Sequence, residues 1–141
     1  MVIKQVLGLD FGLFKTGLAI GQTLTKTASP LGILKMRQGK IDAHALKKIL
    51  ADWQPDALVI GIPVKMDGSA LDISALAAAC ADELEAHTGL PVFRVDERLT
   101  TKAARSELAD LYAATGTKSQ HATLDAYAAV LILESWLRDH V

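Results

Sequence analysis

The segment Ala57–Ile62, with the sequence ALVIGI, constrains the fold more than any other part of this chain. It is a short, continuous apolar run with turn-forming residues on both sides, at residues 54–56 and 63–69. Such a run is typical of a strand that is buried on both faces, which is usual in parallel sheets. A sheet of this kind needs helices on both faces, so the segment predicts an α/β fold.

Four further segments are predicted to form strands. Residues 3–11 are rich in Val, Leu and Ile, and a tight turn at residues 12–15 joins them to a second strand over residues 16–22. Two more strands are predicted over residues 30–36 and 92–96. Right-handed crossovers would place the fourth and fifth strands parallel to the first and beside it. We therefore expect a five-stranded mixed sheet, with three antiparallel strands followed by two parallel ones.

Amphipathic segments with a 3.6-residue period predict the helices that cover this sheet. The turn at residues 37–40 should introduce the first helix, and the others are predicted over residues 70–87, 101–112 and 122–138. The apolar positions expected to face the sheet are Ile41, Leu46, Ile49, Leu50 and Trp53 in the first helix, Ile73, Leu76, Ala77, Cys80 and Leu84 in the second, and Ala122, Ala126, Ala129, Val130, Leu133 and Leu137 in the last.

Composition limits what the chain can be. Its 141 residues, of which 50 % are hydrophobic, suit a single domain over residues 1–141. The formal charge is −1, so any polyanion would have to meet a local basic patch. Cys80 is the only cysteine, which excludes an internal disulfide and favours a reducing environment. No segment has the pattern of a signal peptide or a membrane span, so we expect a soluble, cytoplasmic protein without a membrane partner.

Three acidic residues stand where the predicted fold brings chain segments together. Asp10 lies at the end of the apolar first strand, and Glu97 directly follows the fifth. Because these strands are predicted to be parallel, both acids belong to the carboxyl edge of the sheet, where ligands bind in open α/β folds. Asp125 borders the inward face of the last helix. The three carboxylates are therefore expected to converge.

A divalent cation would relieve the repulsion between converging carboxylates. All-oxygen ligation suits Mg²⁺ or Mn²⁺, and two such ions about 4 Å apart can activate a water and stabilise the leaving oxygen of a phosphodiester. Asp10, Glu97 and Asp125 are thus predicted to be both metal ligands and catalytic residues. Gly12 and Gly17 bracket the turn beside Asp10 and are expected to leave room for a phosphate.

Each acid also has a purely structural interpretation. Asp10 could cap the turn that follows its strand, and Asp125 could interact with the N-terminal dipole of its helix. Glu97 could form a surface ion pair with Arg94 or Arg98. The functional interpretation depends on the three positions taken together.

Four motifs carry a resemblance to a known family. They are GLDFGLFKTGLAIGQ (residues 8–22), VIGIPVKMDGS (59–69), DERLTT (96–101) and LDAYAAVLILESWL (124–137). In this order and across the whole chain they resemble the YqgF family, small bacterial proteins with a RuvC-like version of the ribonuclease H fold. The resemblance implies a metal-dependent nuclease, either a Holliday junction resolvase or an enzyme that processes the 5′ end of pre-16S ribosomal RNA. By this resemblance, the family's acids in the first strand, in the DERLTT motif and in the last helix correspond to Asp10, Glu97 and Asp125.

The resemblance is weaker where phosphates would be held. Many family members have an arginine in the first turn, where this chain has Lys15. A lysine can attract a phosphate as a point charge but cannot form the bidentate hydrogen bonds of an arginine. Many are also strongly basic before the last helix, where this chain offers only Lys118 and His121. Lys65 and Arg98 follow the fourth and fifth strands. The predicted nucleic-acid contacts are Lys15, Lys65, Arg98 and Lys118.

The predicted function is cleavage of structured RNA, a ribosomal RNA precursor, with ribosomal precursor particles as a further partner. Resolution of a branched, four-way DNA junction is the alternative within the nucleases, because phosphate contacts carry no information on base or sugar. A non-catalytic module that binds nucleic acid or a transcription factor is the alternative outside them. The hairpin DFGLFKTG also resembles the phosphate-binding turn of sugar-kinase and actin-like ATPases, but those close two such domains around a nucleotide.

Overall fold

The computed structural model describes residues 2–63, 73–96 and 120–141, and in the last range it describes side chains from residue 126 onward. Six strands lie within these ranges. They are β1 (Gln5–Asp10), β2 (Lys15–Gln22), β3 (Thr27–Arg37), β4 (Lys40–Ile41), β5 (Ala57–Ile62) and β6 (Val92–Asp96). They form one sheet with the order β4-β3-β2-β1-β5-β6. The first strands pair antiparallel, whereas β1, β5 and β6 run parallel, which confirms the predicted mixed sheet.

Three helices lie in the described ranges, and their ends follow from local chemistry. They are α1 (Ala43–Trp53), α2 (Ile73–Thr88) and α3 (Gln120–His140). The carboxylate of Asp42 caps α1 by accepting two backbone N–H groups, and α1 ends at Gln54 in a left-handed conformation. Gly89, with φ of 68°, follows α2. In these ranges every helix falls short of the length and apolar character needed to cross a membrane.

The sheet carries a separate hydrophobic core on each face. On the α1/α2 face, large aliphatic side chains of the strands pack against the helices, among them Leu7, Leu9, Leu18, Leu58 and Ile60 from the strands and Leu46, Cys80 and Leu84 from the helices. On the α3 face, the helix packs over smaller strand residues, among them Val6, Ala19 and Val59 from the strands and Ala129, Val130, Leu133 and Leu137 from the helix. Helices on both faces are therefore confirmed.

Two glycines let α3 approach the strands closely. A Cβ on Gly8 would lie 3.0 Å from Cβ of Leu133 and 3.3 Å from the carbonyl oxygen of Ala129. A Cβ on Gly21 would lie 2.8 Å from Cδ2 of Leu133. The backbones of β1 and β2 thus form the surface on which this helix rests.

Aromatic rings close the end of the α3 face that is remote from Asp10. The indole of Trp136, only 4 % exposed, packs against the ring of Phe93 with the centroids 5.1 Å apart. The imidazole of His140 stacks on the same indole at 5.4 Å. These contacts hold the last turns of α3 against β6.

The predicted strand count was wrong by one, because the turn at residues 37–40 leads into a strand and not directly into a helix. Gln38 and Gly39 both have positive φ, as in a two-residue hairpin turn, and they join β3 to β4. Ile41 therefore belongs to β4, although it still packs on the α1/α2 core. Trp53 was wrongly assigned to the buried face of the first helix. It is the last residue of α1 and is 40 % exposed.

The other predicted boundaries agree more closely. The strands at residues 57–62 and 92–96 are confirmed residue for residue. The third strand begins three residues earlier than predicted and includes Pro30. Proline is tolerated there because β4 pairs only with Met36 and Arg37, which leaves the Pro30 end of β3 at the edge of the sheet. The predicted third helix, the loop at residues 63–69 beyond its first residue and the start of the second helix lie outside the described residues.

Candidate active site

Asp10 is the last residue of β1 and has glycines beside it on both neighbouring strands. It pairs with Gly17 of β2 and with Gly61 of β5. It is partly buried, and strand alternation places it on the α3 face together with Val6 and Gly8. The residues directly opposite Asp10 on β2 and β5 therefore have no side chains that would crowd its carboxylate.

The turn after Asp10 is tight. A Cβ on Gly12 would lie 2.1 Å from the carbonyl oxygen of Lys15, so this position admits no side chain. The backbone N–H of Gly12 donates to Oγ1 of the buried Thr16 at 3.4 Å. The turn itself therefore requires glycine at position 12, whatever approaches from outside.

Backbone hydrogen bonds fix the same turn to the next hairpin. The N–H of Gly39 donates to the carbonyl oxygen of Leu13, and the N–H of Met36 donates to that of Phe14, both at 2.8 Å. The side chain of Phe14 is 64 % exposed at the tip. The end of β1 is thus held by neighbouring strands and by the turn that follows it.

The packing of α3 on β1 places residue 125 level with Asp10. The carbonyl of Ala129 lies against Gly8, and the last turns of α3 lie beside Ile3, so the helix runs antiparallel to β1. Asp125 is four residues before Ala129, about 6 Å along the helix axis. Asp10 is two residues after Gly8, about 7 Å along the strand. The backbone of residue 125 is therefore about level with Asp10, and the convergence of the two carboxylates stays a prediction.

The remaining predicted site residues cannot be compared with the structure. Those outside the described residues are Glu97, Lys65, Arg98 and Lys118, together with the side chains of Asp125 and His121. The described residues contain no group of three His, Cys, Asp or Glu side chains able to hold a metal ion. Asp10 is the only predicted ligand whose side chain is among them, so the three-acid site stays a prediction.

The carboxyl end of β6 lies at the expected edge of the sheet. Its last residue, Asp96, pairs with Ile62, and the chain continues from there into Glu97. Arg94 of the same strand binds the carboxylate of Asp82 in α2, with 2.5 Å between nitrogen and oxygen. Arg94, one of the two arginines that could form a surface ion pair with Glu97, therefore already forms an ion pair with Asp82.

Cys80 lies away from this edge and is not a candidate nucleophile. It is buried on the α1/α2 face, and desolvation, with a smaller effect of the Glu83 charge, raises the pKa of its thiol to about 12. A thiol with this pKa stays protonated near neutral pH, whereas nucleophilic cysteines have lowered values.

Sequence reasoning missed three cations that lie close to the predicted phosphate contact Lys15. Lys35 of β3 is directly opposite Lys15, and Arg37 and Lys40 are opposite each other one step further along. The available signal was a charge imbalance, because residues 11–41 contain five of the fifteen Lys and Arg residues and no Asp or Glu. The imbalance alone does not predict a cluster, because it is the pairing of β3 with β4 that brings Lys40 beside Arg37.

The sheet order and the helices on both faces define a fold class, the RuvC-like form of the ribonuclease H fold. The structure superimposes on Thermus thermophilus RuvC in complex with a Holliday junction with a TM-score of 0.55, 18 % identity and coverage of 97 % of this chain and 96 % of the other. The fowlpox virus Holliday junction resolvase gives a TM-score of 0.55, 15 % identity and coverage of 96 % and 99 %. At these identities the likeness concerns the fold alone.

Sequence comparison identifies the family. The family model described as "RuvX: Holliday junction resolvase" matches residues 4–139. Proteins named "Putative pre-16S rRNA nuclease" from Pseudomonas paraeruginosa and Shewanella oneidensis are 39 % and 41 % identical, over 98 % and 99 % of this chain and 94 % and 98 % of their own. The chain therefore belongs to the RuvX family of nucleases, which is the YqgF family indicated by its motifs.

Proposed function

We propose that this protein is a divalent-metal-dependent endonuclease that processes the 5′ end of pre-16S ribosomal RNA in the cytoplasm, on structured RNA or on ribosomal precursor particles. The observation that carries the proposal is the position of Asp10 at the carboxyl end of the central strand, with the backbone of Asp125 level with it. The choice of RNA as substrate is supported by the names of relatives that are about 40 % identical over nearly the whole chain.

The chemistry of the predicted donors fits a hard cation. Asp10, Glu97 and Asp125 offer only carboxylate oxygens, the ligands that Mg²⁺ and Mn²⁺ accept. Asp10 is partly buried, and the absence of side chains at its strand neighbours Gly17 and Gly61 favours the approach of an ion and a phosphate oxygen. One or two divalent cations held by these acids would supply an activated water and stabilise the leaving oxygen.

The protein's own contribution is a fixed position for the first acid. Asp10 ends a strand with hydrogen-bonded neighbours on both sides, and the turn after it is held by the carbonyls of Leu13 and Phe14. A ligand on such a rigid element keeps its geometry when substrate arrives. In this proposal Lys15, exposed on the same face, attracts a phosphate as a point charge. Lys65, Arg98 and Lys118 are proposed as further phosphate contacts.

The test compares substrates, metals and two acid variants. A pre-16S RNA fragment that spans the 5′ processing site and a four-way DNA junction are each incubated with Mg²⁺, Mn²⁺ or EDTA. We expect cleavage of the RNA with either metal and none with EDTA. Asp10→Asn should slow cleavage by about 10³-fold, because an isosteric amide loses the ligand charge. Asp52→Asn, the same change at an exposed position of α1, is the matched control and should cleave like the wild type.

Equal cleavage by wild type and Asp10→Asn would show that the three-acid mechanism is wrong. Binding of RNA without cleavage under any metal would favour a non-catalytic binding module. Resolution of four-way junctions is the second candidate, favoured by the description of the family model. It predicts cleavage of the junction but not of the RNA, and a symmetric dimer able to make two matched cuts.

A further inference from the structure

Four cations form a diagonal row across β2, β3 and β4, which we call the basic strip. Lys15 is directly opposite Lys35, and Arg37 is directly opposite Lys40. Residues opposite each other in antiparallel strands share a face, and so do residues two apart in one strand. All four side chains are exposed and lie on the same face of the sheet. Like charges directly opposite each other disfavour the sheet, so stability does not account for this arrangement.

The basic strip begins beside Asp10. Asp10 pairs with Gly17, and Lys15 is two residues further along β2 on the same face, so their Cα atoms are about 8 Å apart. Each further step along the strip moves one strand sideways or two residues along a strand. From Asp10 to Lys40 the strip therefore covers about 20 Å.

The basic strip lies in a segment that is poor in acids. Residues 11–41 contain no Asp or Glu, and the acids that flank this range are Asp10 and Asp42. In the part of the chain that the structure describes, Lys35, Arg37 and Lys40 have no carboxylate partner. They line a groove of about 600 Å³, in which the carboxylate of Asp42 caps α1 by accepting the backbone N–H groups of the first helical turn.

The strip and the end of β1 form one fixed unit. The buried Gly39, in the turn between Arg37 and Lys40, donates its N–H to the carbonyl of Leu13. A Cβ at Gly39 would lie 3.3 Å from the ring of Phe11, so this turn fits closely against the residues that follow Asp10. The backbone of the strip is therefore fixed relative to the end of β1.

We propose that the basic strip binds the phosphates of one strand of the substrate and leads that strand to Asp10. This inference rests on the proposed nuclease function. A chain with a net charge of −1 needs such a local patch to attract a polyanion. One strand carries a phosphate about every 3.4 Å of duplex axis, and spacing along the winding strand is larger, so a strip of about 20 Å can contact several successive phosphates. The contacts go to the backbone, and the strip therefore selects the path of the strand and not its sequence.

The experiment measures binding separately from cleavage. The strip variant carries Lys35→Gln, Arg37→Gln and Lys40→Gln in an Asp10→Asn background, which keeps the substrate intact. Its Kd for the RNA fragment and for the four-way junction is measured by fluorescence anisotropy between 50 and 300 mM KCl, roughly the range over which counterion release is steep. Loss of three phosphate contacts should reduce the slope of log K against log salt by about 2 to 3. The Kd near 100 mM KCl should rise at least about tenfold.

The matched control removes the same charge elsewhere. It carries Lys26→Gln, Lys47→Gln and Lys48→Gln in the same background. Lys26 lies in the turn at the opposite end of β2, and the other two are exposed on α1, on the other face of the sheet. The control should keep the Kd and the salt slope of its parent. If the strip variant lowers the Tm, Lys35→Gln alone is used, with an expected slope change of about one.

Two results would overturn the role of the strip. One is an unchanged Kd and salt slope in the folded strip variant. The other is an equal loss of binding in the control, because the effect would then come from net charge. Neither result depends on cleavage, so failure of the wild type to cut any substrate would refute the proposed function and leave the binding test valid. If the strip variant raises the Kd for only one of the two substrates, that substrate is the nucleic acid that binds along the strip.

Discussion

The two faces of the central sheet differ in the size of their side chains, and the difference separates stability from site geometry. On the α1/α2 face, leucines and isoleucines are buried completely and fill a thick core. On the α3 face, Gly8 and Gly21 let the helix touch the strand backbone. Large side chains remove more apolar area from water, whereas small ones set a short distance between helix and strand. The first face should therefore carry more of the stability, and the second should position Asp125 beside Asp10.

The largest effect on stability is expected from truncation on the α1/α2 face. Leu58 of β5 is fully buried there, so Leu58→Ala should lower the free energy of unfolding by about 2 to 5 kcal/mol through lost burial and a residual cavity. Urea denaturation measures this change. Cleavage per folded molecule should stay at the wild-type rate, and a clear decrease would mean that this face also positions the site.

A smaller loss of stability, with a larger loss of activity, is expected on the α3 face. Gly8→Ala brings a Cβ to 3.0 Å from Cβ of Leu133 and 3.3 Å from the carbonyl oxygen of Ala129, and neither atom can turn away. The helix must shift, at a cost of about 1 to 3 kcal/mol. A displacement of about 1 Å can reduce a rate by about 100-fold. The contacts at Gly8 require a smaller shift, so cleavage per folded molecule should fall by about two- to tenfold if Asp10 and Asp125 act together as proposed.

The same substitution at Gly21 is the control for this prediction. Its Cβ would meet Cδ2 of Leu133, the far end of that side chain, at 2.8 Å and the carbonyl oxygen of Thr27 at 3.2 Å. Gly21 pairs with Val6, far from Asp10 along β1. Gly21→Ala should therefore cost some stability and leave cleavage per folded molecule unchanged. If both glycine variants lose activity equally, proximity to Asp10 is not the cause.

The smallest effect is expected from Asp56, which directly precedes β5 and lies at the end of the sheet remote from Asp10. The carboxylate of Asp56 accepts the backbone N–H groups of Lys4 and Gln5, and these bonds hold its pKa below the usual value of 3.8. A lowered native pKa adds stability above pH 3.8 that is lost as the pH falls through the native value. Asp56→Asn should therefore lower the Tm slightly at pH 7, and the difference should shrink below pH 3.8. A pH-independent difference would exclude the ionised carboxylate as the cause.

The elements that sequence predicted well were those whose pattern is set locally. The apolar run at residues 57–62 and the alternation that places Asp10 on its strand need no knowledge of the rest of the chain. The strand β4 was missed because two residues are too few for a period, and only contact with β3 and the turn at Leu13 stabilises it. The basic strip was missed for the same reason. The need for glycine at position 8 was also invisible, because it depends on Leu133, which is 125 residues away in sequence.

The packing of Trp136 provides an internal optical probe of how α3 sits on the sheet. Its indole is only 4 % exposed and lies between Phe93 and His140, whereas the other tryptophan, Trp53 on α1, is 40 % exposed. With Trp53→Phe, the remaining fluorescence would come from the shielded ring, at short wavelength. A red shift in the Gly8→Ala protein would then report displacement of the helix directly, in the folded state and without any substrate.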